Sequence, residues 1–250
     1  MPDVTRLIFR SIMNDASTQL QNHFGVERDR IQDLLAYFQR VDDGDFAGDE
    51  QTEVNLLPPS ECIALTEDLD CHPLFDCPEG ANFLVLDDAN TSDHHCYALD
   101  FPYPGCVIFV PHGDKVRVVF RNLVEYVKAC ETAIETDTSL RDYHRTDVLL
   151  HPDQSRLNQT LSSLLTDGEE ELLYLLVGAS DLADATLVNG FLASDDFCLR
   201  AAVADRIAAG PHFKLLDYAK RCATDRHANV WRPGKRALGA IEAILPEKRG

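Results

Sequence analysis

Residues 82–120 read NFLVLDDANTSDHHCYALDFPYPGCVIFVPHGDKVRVVF, and this stretch decides the fold class. Residues 82–86, 94–100, 106–110 and 115–120 are short runs rich in Val, Ile, Leu, Phe and Tyr. Such residues suit a pleated, packed surface. Between the runs lie DDANTSD, FPYPG and HGD, whose Asp, Asn, Pro and Gly residues favour turns. Connections this short can join antiparallel neighbours, whereas a parallel crossover needs a dozen or more residues. The stretch therefore predicts an antiparallel meander.

Upstream, 4–24 and 27–40 predict amphipathic helices, because Val4, Leu7, Ile8, Ile12 and Ile31, Leu34, Leu35, Phe38 keep three-four spacing. VDDGDFAGDEQTE (41–53) reads as a loop, and Val54–Leu57 as a short strand. Pro58-Pro59-Ser60 predicts a short helix with Ser60 as a cap. Downstream, 121–134 predicts a helix with Leu123, Val124, Val127 and Ile134 on its inner face. Residues 136–159 are mixed and polar, as in a linker. Helical patterns follow over 155–166, 169–179, 182–193, 196–208, 212–223 and 229–244. An offset of 34 residues aligns Phe197, Val203, Ala204, Ile207 with Trp231, Ala237, Leu238, Ile241, a period that suits stacked helical hairpins. The expected fold class is α+β, an antiparallel meander sheet with flanking helices, followed by an all-α helical-hairpin domain. The expected domains are 1–135 and 160–250, joined by a linker over 136–159.

Asp93-His94-His95-Cys96 spells the tetrapeptide of a family of zinc-containing palmitoyltransferases. Those enzymes need several membrane spans, each about 18–20 uninterrupted apolar residues. The longest candidate here, Leu172 to Val188, is broken by Asp181 and Asp184. The first twenty residues lack the apolar block and cleavage site of a signal peptide. The expectation is a cytoplasmic protein without a membrane partner. Its eight cysteines include no Cys-x-x-Cys pair, so reduced, buried thiols are expected.

No Gly-rich phosphate loop, Gly-x-Ser-x-Gly elbow or His-Glu-x-x-His helix is present, and no cofactor is expected. His95 and Cys96, adjacent on a strand, point to opposite faces, which works against a Cys–His nucleophile. His94 and Cys96 share a face, so an enzyme centred on His94, Cys96 and His112 is one alternative. Another is a zinc site from Cys71, Cys77, His94 and Cys96, although the adjacent Cys71-His72 pair fits poorly. The expected reading is strand and loop residues without metal.

The net charge of −19 is unevenly spread. Residues 41–114 carry 17 Asp or Glu and no Lys or Arg, while 160–250 carry 13 acids and 11 bases. A field of one sign repels nucleic-acid phosphates and attracts basic partners, although it also serves solubility. Candidate partner-binding residues are Asp87, Asp88, Asp93, Tyr103 and Asp114. Nucleic-acid binding through Lys220, Arg221, Arg226, Arg232, Lys235 and Arg236 is a further alternative, opposed by the overall charge.

The order VNLLPPSECIAL, NFLVL, an acidic turn, HHCYALD, CVIFV, KVRVVF and RNLVEYVKACE resembles the SUKH superfamily over roughly residues 1–135. Leu123, Glu125, Tyr126 and Val127 occupy its closing helix motif, while Asp87 to Asp93 replaces its usual Gly-rich turn. That group includes bacterial immunity proteins against secreted toxins and a fungal cell-wall-synthesis regulator. The C-terminal half loosely resembles HEAT-like hairpins. Together these resemblances imply a non-enzymatic, protein-binding module.

Overall fold

The computed structural model describes residues 15–48, 50–69, 83–112, 115–167 and 170–244. The chain divides into two compact units, Met1–Arg145 and Thr146–Gly250. The first is α+β and the second is all helical.

Strands β1 (Phe83–Val85), β2 (His94–Ala98), β3 (Val107–Val110) and β4 (Arg117–Phe120) form one sheet in the order β1-β2-β3-β4. All neighbours are antiparallel, with Leu84 opposite Tyr97 and His95 opposite Phe109. The meander expected from residues 82–120 is present. In the β2–β3 connection Gly105 takes a φ of 86°, a conformation that disfavours side chains.

Helix α1 covers 15–24 among the described residues, and α2 (Gln32–Asp43) follows a 3-10 turn at Arg28–Ile31. Residues 4–14 of the expected first helix lie outside the described residues. Helices α3 (Pro59–Asp68) and α4 (Leu123–Thr136) complete the set. Leu34, Leu35, Tyr37 and Phe38 of α2 join Tyr126 and Cys130 of α4 and Leu84, Leu86, Tyr97, Val107 and Phe109 of the sheet in one core.

Four local expectations change. Val124 is 78% exposed, not inward: buried Leu123, Tyr126, Val127, Cys130 and Ala133 define the stripe, and Val124 stands outside it. The α3 cap position is Pro58, so Ser60 already lies inside the helix. Val54–Leu57 makes isolated pairings, Ala47 with Asn55 and Leu56 with Asp87, instead of a regular strand. The polar stretch 136–159 is not one linker. Leu140, in a 3-10 turn at Leu140–Tyr143, is fully buried in the first core, and Gln154 opens the next helix. Polarity signalled exposure there, but a single well-placed Leu anchors the segment.

In the second unit α5 (Gln154–Asp167), α6 (Glu170–Ala179), α7 (Ala185–Ala193), α8 (Phe197–Ala209), α9 (Leu216–Ala223) and α10 (Ala228–Ile244) match the helical periodicity. Asp184 and Asp196 cap α7 and α8 by accepting from two backbone N–H groups each. Helix α10 packs on α8 and α9. Of the residues in the 34-residue alignment, Val203, Ala204 and Ile207 on α8 and Ala237 and Ile241 on α10 are buried, while Phe197, Trp231 and Leu238 are half-buried. A Cβ at Gly234 would sit 2.4 Å from the Cys222 carbonyl carbon, so glycine permits the close α9–α10 approach. Among the described residues no helix is long and apolar enough to cross a membrane.

Candidate functional site

The site grows from how β1 ends. The pairing does not stop at Val85: Leu57 N–H donates to the Leu86 carbonyl at 3.0 Å, and Asp88 N–H to the Asn55 carbonyl at 3.0 Å. Held between them, Asp87 is carried inward and is 1% exposed. This corrects the reading of Asp87 as an exposed turn residue; the turn begins later in the segment.

The buried Asp87 carboxylate accepts from His95 N–H at 2.8 Å, from His95 Nδ1 at 2.5 Å and from Tyr126 Oη at 3.0 Å. Withdrawing a carboxylate from water is costly, and these charge-assisted bonds offset much of that cost. His95 packs against the rings of Phe109 and Tyr126, with centroids 5.0 and 5.3 Å away. Its Nε2 lies 2.8 Å from Nε2 of His144, whose Nδ1 lies 3.4 Å from an Arg117 guanidinium nitrogen.

The proton arrangement follows from Arg117, which can only donate. His144 Nδ1 therefore accepts, leaving the hydrogen on its Nε2 to donate to His95 Nε2. His95 then carries its own hydrogen on Nδ1 and donates it to Asp87. The chain Arg117–His144–His95–Asp87 runs in one direction with every imidazole neutral. Burial first, with the Arg117 and Arg141 guanidiniums adding to it, pulls His144 down to about 2.

Next to this chain lies a small depression lined by His95, Phe109, Arg141, Asp93, Glu53 and Thr91, among others. Arg141 bridges Glu53 at 2.8 Å and Asp93 at 2.5 Å. Its guanidinium also stands 5.1 Å from the Phe109 ring centroid.

The proposed contact residues are not brought together as an exposed set. Asp87 and Tyr103 are buried, the latter 5% exposed, while Asp88 and Asp93 are half-buried. Asp93 is already engaged by Arg141 and by the His112 backbone N–H. Asp114 lies outside the described residues. The freely exposed acids of segment 41–114 include Asp42, Asp45, Glu50, Glu61 and Asp68, which make no ion pair among the described residues.

His94 and Cys96 sit on β2, both buried. His94 Nδ1 lies 3.2 Å from the Asp87 carbonyl. Cys71 and Cys77 lie outside the described residues, and among the described residues no three ligands gather for a metal. Burial, then the Asp87 charge, pushes the Cys96 thiol well above its ordinary range, the reverse of what a nucleophile requires.

Sequence reading missed the Asp87–His95–His144 chain because its members come from three separate segments. The clue was Asp87 directly following an apolar strand and, eight residues before His95, placed across the β1–β2 hairpin from it. Comparison with known proteins finds no matching family model, curated protein or solved structure.

Proposed function

We propose that the chain is a non-enzymatic protein-binding module of the immunity or regulatory-scaffold type, SUKH-like in its first unit, holding a basic protein, for example a toxin nuclease. The observation that carries this reading is an imbalance of paired and unpaired charge. Arg30, Arg40 and Arg141 are tied to Asp100, Glu131, Glu53 and Asp93. Meanwhile Asp42, Asp45, Glu50, Glu61 and Asp68 are exposed without an ionic partner among the described residues. Unneutralised carboxylates steer a basic partner at long range, screened over about 8 Å at physiological salt.

The test is the association rate of a basic protein captured by the full chain, measured against salt. Reversing Asp45, Glu61 and Asp68 to Lys should slow association at low salt by about tenfold or more. The same change at Asp195, Asp217 and Glu242, exposed in the helical unit, should matter much less. A partner whose rate ignores both salt and the first triple substitution defeats the proposal.

One observation favours a second reading, nucleic-acid binding by α10. Arg232 and Lys235 lie 5.6 and 4.3 Å from the Trp231 ring centroid, cations beside a platform on which a base could stack. Quenching of Trp231 by single-stranded DNA, lost in Lys235→Glu, supports it; unchanged fluorescence at low salt removes it.

A further inference from the structure

We propose that His144 is a proton-operated latch: neutral, it pins residues 139–145 onto the sheet through His95; protonated, it lets that segment go.

The segment is a strap: Ser139 Oγ donates to Glu53, the Tyr143 hydroxyl meets those of Thr136 and Thr138 at 3.0 Å each, and the Tyr143 ring packs against the first core. Leu140 is buried, and its N–H donates to the Thr52 carbonyl at 2.9 Å. Arg145 N–H donates to the Val119 carbonyl at 3.2 Å. Between them Arg141 reaches Glu53 and Asp93, and His144 reaches His95. The chain passes from this strap directly into the second unit at Thr146.

His144 is the member of this set that cannot accept a proton in place. His95 on β2 already receives its Nε2 hydrogen, so protonating Nδ1 would aim a new N–H at the Arg117 guanidinium on β4. Arg141, on the strap itself, adds a second positive charge nearby. The Phe109 and Phe120 rings, with centroids 4.8 and 5.6 Å from that of His144, leave it only half-exposed. The opposing negative groups are otherwise committed. Asp87 lies behind His95 and also takes the Tyr126 hydroxyl of α4, while Glu53 and Asp93 hold Arg141. An imidazolium at this position has two guanidinium neighbours and no carboxylate in contact among the described residues.

The sign follows. Released from the sheet, His144 regains its ordinary value of 6.5; closed, it is held down at about 2. The open strap binds the proton that the closed strap refuses. The latch is therefore intact above 6.5 and weakens as pH falls through the window below it.

Hydrogen exchange on the full chain from about pH 7 to about pH 5 tests this. The opening constants of the Leu140 and Arg145 amides should rise by about tenfold per pH unit below 6.5. Those of the Leu86 and Ala98 amides, bonded within the sheet, should stay level. In His144→Gln the amide can still donate to His95 and accept from Arg117 but binds no proton, so the rise should vanish. Strap and sheet amides opening together, a strap that ignores pH, or a Gln variant that keeps the slope each overturn the proposal. If the variant does not fold, histidine NMR on the native chain decides. A His144 ring that keeps one hydrogen on Nε2 while the strap is closed supports the latch, and one that gains a second there overturns it.

Discussion

In the first unit a carboxylate is buried, whereas in the second the buried charged groups are guanidiniums, Arg200 and Arg206. Asp87 is met by His95 and Tyr126, donors that carry no formal charge in the tautomer set by Arg117. Arg200, on α8 and 6% exposed, is met by the opposite charge of Asp225 at 2.8 Å and by the carbonyls of Ser194 and Asp195. The first solution leaves an uncancelled negative charge in the core, which adds to burial in raising the Tyr126, Cys96 and Cys130 protons. The second cancels its charge locally: Arg200 is raised by its bonds to Asp225, and the Asp225 carboxyl is lowered in turn. A buried charge without a counter-ion influences groups well beyond its contacts, while a paired one is largely a local fastener.

The sharpest way to break this contrast is Asp87→Ala. It leaves the His95 and Tyr126 donors unmatched in the core and should destabilise the first unit by about 3–5 kcal/mol. The lone tryptophan, Trp231, belongs to the second unit, so its fluorescence should follow that unit separately. Denaturant titration should show the circular-dichroism transition moving to lower denaturant while the Trp231 transition holds. If both move together, the units do not unfold as separate bodies.

Gly234→Ala reverses the assignment. The new methyl would meet the Cys222 backbone, which cannot swing aside, so α9 and α10 must separate at a cost of about 1–3 kcal/mol. Here the Trp231 signal should shift first. Cys96→Ala should cost less, about 1 kcal/mol for a small buried group, because the thiol is fully buried and held in its neutral form. A stoichiometric metal lost on that change would instead reinstate the site with Cys71 and Cys77. Smallest is Asp88→Ala. Its neighbour Asp87 is nearly irreplaceable, yet half-buried Asp88 caps only the Asn90 N–H, so a change within about 0.5 kcal/mol is expected by thermal melt.

Much of the fold was legible in the chain because it rests on local signals. The turns DDANTSD, FPYPG and HGD could only bring neighbouring strands together, and the helices of the second unit announced themselves by periodicity and by caps such as Asp184 and Asp196. Where an apolar residue stood just outside the stripe, as with Val124, sequence overcounted the core. Where one stood alone in polar company, as with Leu140, it undercounted.

The sequence by itself determined the meander, the helical second half and the segregation of charge, since these depend on residue type and on spacings of a few positions. Only the tertiary structure decided which of three neighbouring acids, Asp87, Asp88 and Asp93, is buried, half-buried or paired with Arg141. It also decided that His95 meets Asp87 across the hairpin, Tyr126 from α4 and His144 from the strap. The physical reason is range. Periodicity fixes which face a side chain takes within its own element, but a hydrogen-bond chain is assembled from segments up to 57 residues apart, the span from Asp87 to His144. Those partners are selected by packing in three dimensions, where a buried carboxylate must find donors or the fold pays for leaving it alone.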